Sequence, residues 1–232
     1  GVLVGVAVLN AVLAVMTGFE VDLRDKILGA NSHIVVLRYG GNIVDYDGVA
    51  DQVREVEGVE GVAPFVYSEM MIRSALGTEG IILKGYDPVE GGSVTHLRGD
   101  LVYGPSGELS TEAERQELFA SLVEPITDGD GGEPLPGIFL GREIMGSLQV
   151  EPGDKVQVIN PLGGGAGLMG MPTPTVRAYR VAGIFYSGMY EYDTKWTYVT
   201  NAEAQRFLKL GDTVTGLEIR VDDIDNVEAI SA

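Results

Sequence analysis

The chain has 232 residues, 45% hydrophobic and 22% charged, enough for one large domain or two small ones and too apolar to be disordered throughout. Lys+Arg 16 against Asp+Glu 34 leaves a net charge of −18, a field that repels nucleic-acid backbones and anionic lipid, so no nucleic-acid partner is expected. Cys 0 removes disulfide scaffolds, thiolate zinc sites and cysteine nucleophiles, while Gly 33 and Pro 10 predict turns and short strands rather than a helix bundle.

The chain begins GVLVGVAVLNAVLAVM, where Asn10 is the only polar side chain. A spanning helix needs roughly 20 apolar residues, so this run is too short by itself. A signal peptide would carry a basic segment first, and none is present. A buried core helix is a second option. The third, favoured here, is the exit end of a transmembrane helix whose start lies outside the given chain. Its continuation supports that choice. Phe19, Leu23 and Ile27 share one helical face among Glu20, Asp22, Arg24, Asp25 and Lys26, and Gly29 is placed to stop the helix.

Next, residues 32–37 have the β-branched density of a strand. Asp47 is the expected N-cap of a helix running to Glu57, with Val49, Val53 and Val56 inward. Gly58 ends it, and residues 62–75 read as one long or broken strand. The pattern returns near the other end. Residues 195–199 form a strand, Asn201 caps a helix with Ala204, Phe207 and Leu208 inward, and residues 216–221 form a strand. Two β-α-β units around a long middle predict an α+β layer domain interrupted by an insertion. Within the middle, residues 79–86, 155–159 and 177–185 are strand candidates. The stretch 99–137 is acidic and glycine-rich. Thr111 and Glu114 form a capping box there, before a helix with Leu118, Leu122 and Val123 on its apolar side. It reads as a surface embellishment.

Several motifs fail on context. Gly165, Gly167 and Gly170 spell G-x-G-x-x-G, but Pro172 and Pro174 follow where a dinucleotide site needs a helix. The run from Asp128 to Glu133 opens like a calcium loop, yet its twelfth position is Phe139 rather than glutamate. No G-x-S-x-G elbow is present, and the only histidines, His33 and His96, sit at a strand start and after a turn. Glu191 and Asp193 are a carboxylate pair of the kind any acidic chain contains. No catalytic constellation and no cofactor site is predicted. One connection stands out. Pro161 to Pro174 links two strand candidates, far longer than the two to five residues of an ordinary hairpin loop, uncharged, with Leu168, Met169 and Met171 in its middle. Long loops with apolar, methionine-bearing tips are recognition elements.

Three stretches carry a family resemblance: residues 15–29; Val181 to Asp193 with Tyr198, Val199, Ala204 and Gln205; and Leu210 to Gly216 with the strand to Val221. Together they resemble the periplasmic region of LolC/LolE-type permeases, the membrane subunits of the lipoprotein-releasing ABC transporter. The resemblance implies an inner-membrane protein whose MacB-like periplasmic domain lies between its first two transmembrane helices. It implies residues 1–30 as the end of the first such helix with an amphipathic extension. Residues 31–82 and 190–232 would form a discontinuous Porter subdomain, and 83–189 a β-rich Sabre subdomain with an acidic insert at 99–137. Gly1 and Ala232 would then be boundaries drawn around the domain.

In LolC-type members a long hairpin, the Hook, and a nearby Pad recruit the periplasmic chaperone LolA. By position the Hook corresponds to residues 161–174, including Pro161, Pro172 and Pro174, with Leu168, Met169, Gly170 and Met171 at the tip. The Pad corresponds to Gln157 and Arg177. Gln157 stands where LolC has arginine and Val176 where it has glutamine, whereas Arg177 is kept. LolE-type members lack the Hook, so a Hook beside LolE-like Gly188 to Asp193 fits a subunit combining both roles. The implied partners are a LolA-like chaperone, a second permease subunit in a hetero- or homodimer, a cytoplasmic ATPase that hydrolyses ATP, and a lipoprotein substrate. The alternative is a MacB-like permease that exports another substrate by mechanotransmission.

Overall fold

In the computed structural model the apolar run and its continuation form one unbroken helix, α1 (Val2–Ala30). The structure describes residues 1–30, 32–127, 134–163 and 173–224, without the side chains of 22–30. Within α1, Val2–Val21 is long and apolar enough to cross a membrane, with mean hydropathy 2.3 and 0% of it buried against the rest of the chain. A buried core helix is thereby excluded for these residues. This stretch lies apart from the rest of the fold, and its length matches what a bilayer crossing needs.

Beyond α1 come β1 (Ile34–Leu37), α2 (Tyr46–Arg54), β2 (Val59–Arg73), β3 (Thr78–Tyr86), β4 (Leu101–Gly104) and β5 (Gly107–Glu108). They are followed by α3 (Glu112–Ser121), β6 (Gly137–Gly141), α4 (Arg142–Leu148), β7 (Lys155–Asn160) and β8 (Thr175–Phe185). The last elements are α5 (Tyr190–Lys195), β9 (Trp196–Thr200), α6 (Asn201–Leu208) and β10 (Gly216–Val221). The α+β class is as expected. Two caps shift by short steps. Asp45, not Asp47, accepts from Gly48 N at 3.3 Å at the start of α2. Thr200, not Asn201, caps α6 by accepting from Glu203 N at 3.2 Å. Val56 and Val123, expected inward, are exposed, while Ala50 and Phe119 are buried instead.

The sheet order is β1-β10-β2-β3-β9-β6-β8-β4-β5, and β7 pairs with both β2 and β8. β2 changes partners midway. Residues from Val59 to Phe65 pair with β10, and Val66 to Arg73 pair with β3. Because β7 bridges Met71–Arg73 to β8, the ladder closes a ring through β2, β3, β9, β6, β8 and β7. Ile72, Leu83, Ile138, Leu140, Val158, Tyr179, Val181 and Val199 belong to one core and are fully or almost fully buried. Alternation along each strand places these on the ring's inner face. The same core continues onto Leu217, Ile219 and Val221 of β10 and Ala50 of α2.

A second core lies on the outer face of β6, β8 and β9, around Phe139, Phe185 and Tyr198. Leu101, Leu118, Phe119 and Leu122 cover it, so the stretch read as a surface embellishment supplies a roof and, through β4, a strand paired with β8. Its capping box forms as expected, with Thr111 and Glu114 bonded reciprocally.

Candidate partner-docking site

β7 and β8 run antiparallel from Lys155↔Arg180 to Asn160↔Thr175, and the chain leaves this closed pair at Pro161 to return at Pro174. The Asn160 side chain accepts from Leu162 N at 3.0 Å, and Gly163 N donates to Asn160 O at 3.4 Å, so the departure from β7 is a hydrogen-bonded turn. A Cβ at 163 would overlap Thr175 Oγ1 and the Asn160 amide, so a larger residue there requires these side chains to shift. Pro161 and Pro174 are exposed, as is Leu162 at 74%. Leu168, Met169, Gly170, Met171 and Pro172 lie outside the described residues, as do Gly165 and Gly167 of the glycine motif and the calcium-like residues 128–133.

Gln157 and Arg177, the positions expected to form the Pad, point to opposite faces. Gln157 is opposite Ala178 and Arg73, on the outer face, where Arg73 Nη2 donates to its Oε1 at 2.5 Å. Arg177 is opposite Val158, on the inner face, because antiparallel partners share a side and neighbours alternate. The structure therefore does not bring Gln157 and Arg177 together. Beside Gln157 the outer face carries a row across three strands, Met71↔Ile159↔Val176, with Met71 42% and Val176 52% exposed. This apolar row adjoins the base of the connection. Sequence reasoning missed Met71 and Ile159, since only the pairing of β2 with β7 aligns them.

Arg177 meets a carboxylate that the sequence did not mark. Glu203, in the first turn of α6, is buried at 4% exposure. Arg177 grips it with two nitrogens: Nη2 donates to Oε2 at 3.0 Å and Nε pairs with Oε1. Tyr179 Oη donates to Oε1 at 3.1 Å and Arg206 Nη1 to Oε2 at 2.8 Å. Burial and the adjacent Glu203 charge raise the Tyr179 phenol above its ordinary value, so it stays a donor. The guanidinium thus faces the carboxylate with two nitrogens, one in a hydrogen bond and the other in an ion pair.

The remaining polar candidates are structural. His33 sits at the start of β1, its Nδ1 3.1 Å from Val221 O, and exposed His96 lies 3.0 Å from Arg220. Glu191 is exposed, but Asp193 is buried and accepts from Ser187 N at 2.8 Å and Ser187 Oγ at 2.9 Å. Asp100, nearby, has its carboxyl pushed up to about 6 by burial and by the Asp193 charge. No group of three or more metal-ligating side chains is assembled among the described residues.

A family model described as MacB-like periplasmic core domain matches residues 1–232. The chain is 26% identical over 234 residues to the lipoprotein-releasing system transmembrane protein LolC of Neisseria meningitidis serogroup B, covering 100% of this chain and 50% of that protein. To the corresponding LolE of Haemophilus influenzae it is 24% identical over 231 residues, covering 96% and 49%. The crystal structure of the extracellular domain of the noncanonic ABC-type transporter YknZ from Gram-positive bacteria aligns with TM-score 0.48 and 13% identity, over 82% of this chain and 78% of that one. The chain spans about half the length of the curated relatives it matches.

Proposed function

Because the chain belongs to the MacB-like periplasmic core domain family, we propose that it is the periplasmic part of an inner-membrane ABC permease that releases lipoproteins to a LolA-type chaperone. The likeness to LolC and LolE proteins supports the transport class. The observation that carries the finer reading is the connection from Pro161 to Pro174. It leaves a closed strand pair through an ordered turn, exposes Leu162, and is flanked by the apolar row of exposed Met71 and Val176 with half-buried Ile159 between them. A partner that buries this surface gains by removing apolar area from water.

In this reading residues 161–174 are the Hook, Gln157 and Arg177 serve the Pad from opposite faces, and the domain itself performs no chemistry. A separate cytoplasmic ATPase supplies the energy, and a second permease subunit completes the membrane pore. α1 carries motion outward from the bilayer, and the lipoprotein is the cargo. In the same reading the discontinuous Porter piece is 31–82 with 190–232 and the Sabre piece 83–189, with one boundary falling within β3 of the strand ring.

Calorimetric titration of the full chain in detergent with the LolA-type chaperone of the same bacterium tests the proposal. The comparison is a variant in which residues 162–173 are replaced by a two-residue turn. Micromolar or tighter binding that disappears in the variant supports chaperone recruitment. Equal binding by both proteins removes the Hook assignment. No binding by the intact chain turns the reading to a MacB-like exporter of another substrate.

A further inference from the structure

The first residues of β8 have an open flank. β6 pairs with β8 only from Gly137↔Arg180 onward, so Thr175 to Tyr179 are hydrogen-bonded to β7 on one side and to no strand on the other among the described residues. This segment is where the 161–174 connection returns to the sheet. On the inner face of this segment Glu203 is reached by Arg177 with two nitrogens and by Tyr179 Oη, and is held on its own helix by Arg206. The Glu203 amide is in turn fixed by the Thr200 cap. The carboxylate thus receives donors on both oxygens while buried, and it ties α6 to a strand 26 residues away in sequence.

We infer that Glu203 is the positioning residue of the long connection: by holding the inner-face side chains Arg177 and Tyr179 it anchors the open-flanked start of β8, fixes the direction from which residues 173–175 enter it, and sets the orientation of Arg177. Its contact with the connection is indirect. A neutral amide at 203 keeps the shape but loses the charge that attracts both guanidinium groups, and it presents one acceptor oxygen instead of two. The β8 segment is then held by the β7 ladder and by the core packing of Tyr179, and its first residues lose their anchor. The part of this inference that concerns a partner rests on the chaperone-docking reading; the part that concerns the strand does not.

Amide hydrogen exchange on the full chain in detergent, wild type against Glu203→Gln, separates the two. Exchange in peptides covering 173–179 should rise severalfold in the variant, while peptides from β3 and β10 keep their protection. Unchanged protection of 173–179 overturns the inference. Should exchange rise throughout the fold, Arg177→Lys decides in the same peptides. It keeps the positive charge and cannot make the two-point contact, so a local rise confined to 173–179 supports the inference and no rise overturns it. Titration with the LolA-type chaperone then reads the functional part. Glu203→Gln should weaken binding about tenfold, and in an Arg177→Ala background it should add no further loss. Independent, additive losses would make Glu203 a structural residue only. Absence of wild-type binding would remove the chaperone reading and leave the exchange result standing.

Discussion

Glu218 and Glu203 are both buried carboxylates bonded to cations, yet their surroundings differ. Glu218 meets Lys84 Nζ at 2.6 Å, strand to strand, and both side chains are shut away at 11% and 5% exposure. The ammonium also lies 5.7, 5.5 and 5.9 Å from the rings of Phe65, Trp196 and Tyr198. Glu203 is as buried, but its cations reach outward: Arg177 is 33% and Arg206 65% exposed. The first pair is closed on itself and can only hold strands together. The second keeps guanidinium edges within reach of solvent, at the base of the connection, where another molecule can touch them.

Lys84→Met is the hardest way to break that comparison. It strands the Glu218 charge among aromatic rings, and the expected loss is about 3–5 kcal/mol of unfolding free energy by denaturant titration. Replacing both partners by apolar residues should return most of that loss, since the penalty comes from the unpaired charge. A single replacement costing nothing would show that the pair is open to water after all.

Asp100 offers the contrasting case of a part-buried carboxylate with a like charge beside it. Its carboxyl titrates near 6 in the fold against an ordinary 3.8. Between those values the folded chain holds a proton that the unfolded chain has shed, so stability is highest at the acid end and falls as pH rises through about 6. Asp100→Asn should therefore stabilise the protein at pH 7.5 by on the order of 1–2 kcal/mol, with the gain shrinking toward pH 4 in thermal melts. A gain independent of pH would assign the effect to something other than this proton.

The smaller effects sharpen the Glu203 side. Tyr179→Phe removes one of its donors and should cost about 1 kcal/mol in the same denaturant assay. Arg206→Ala acts at a mostly exposed cation and should cost about 0.5 kcal/mol or less. A larger loss for Arg206 than for Tyr179 would mean that the helix-borne arginine, not β8, is the anchor of this carboxylate.

Much of the element order could be read directly, because period and punctuation agreed there. Gly216–Val221 is bounded as predicted, and β7 and β8 lie within two residues of the expected limits. The cap of α2 was placed two residues late, since the sequence around Asp45 and Asp47 offers two carboxylates and only the bond to Gly48 N selects between them. β6 and α4 were missed for a physical reason. Gly137–Gly141 is buried on both faces, so it has no alternation to betray it, and α4 follows without an intervening turn. Gly141 itself is needed there, because a Cβ would overlap the Asp193 backbone. The apolar residues of the 99–137 stretch were hidden by its acidic composition, although Leu118 and Leu122 were named as one side of its helix.

The candidate site was legible only in part. Length and the flanking prolines marked the 161–174 connection, and the strand pair that launches it was expected. The separation of Gln157 from Arg177 follows from register, which the sequence does not state. Glu203 was invisible for another reason. In the run Asn201-Ala-Glu-Ala-Gln205 it looks like an ordinary solvated helix position, and only the packing of α6 on β2, β3 and β9, with Arg177 and Tyr179 reaching it from β8, buries it.

β2 has a mechanical meaning beyond its place in the sheet. At about 3.3 Å per residue, its 15 residues make a rod of about 50 Å. One end, at Val59, is laced to Val221, whose backbone also meets His33 just after the apolar helix. The other end, at Met71–Arg73, is laced to the last residues of β7 before the long connection begins. β2 is bonded to β10 up to Phe65 and to β3 beyond it, with both edges paired at Met71–Arg73, so it cannot slide without tearing one of these ladders, and no proline follows Pro64 in it. A tilt imposed where the apolar helix enters would thus be delivered to the base of the connection as a lever delivers it, with little lost to bending on the way.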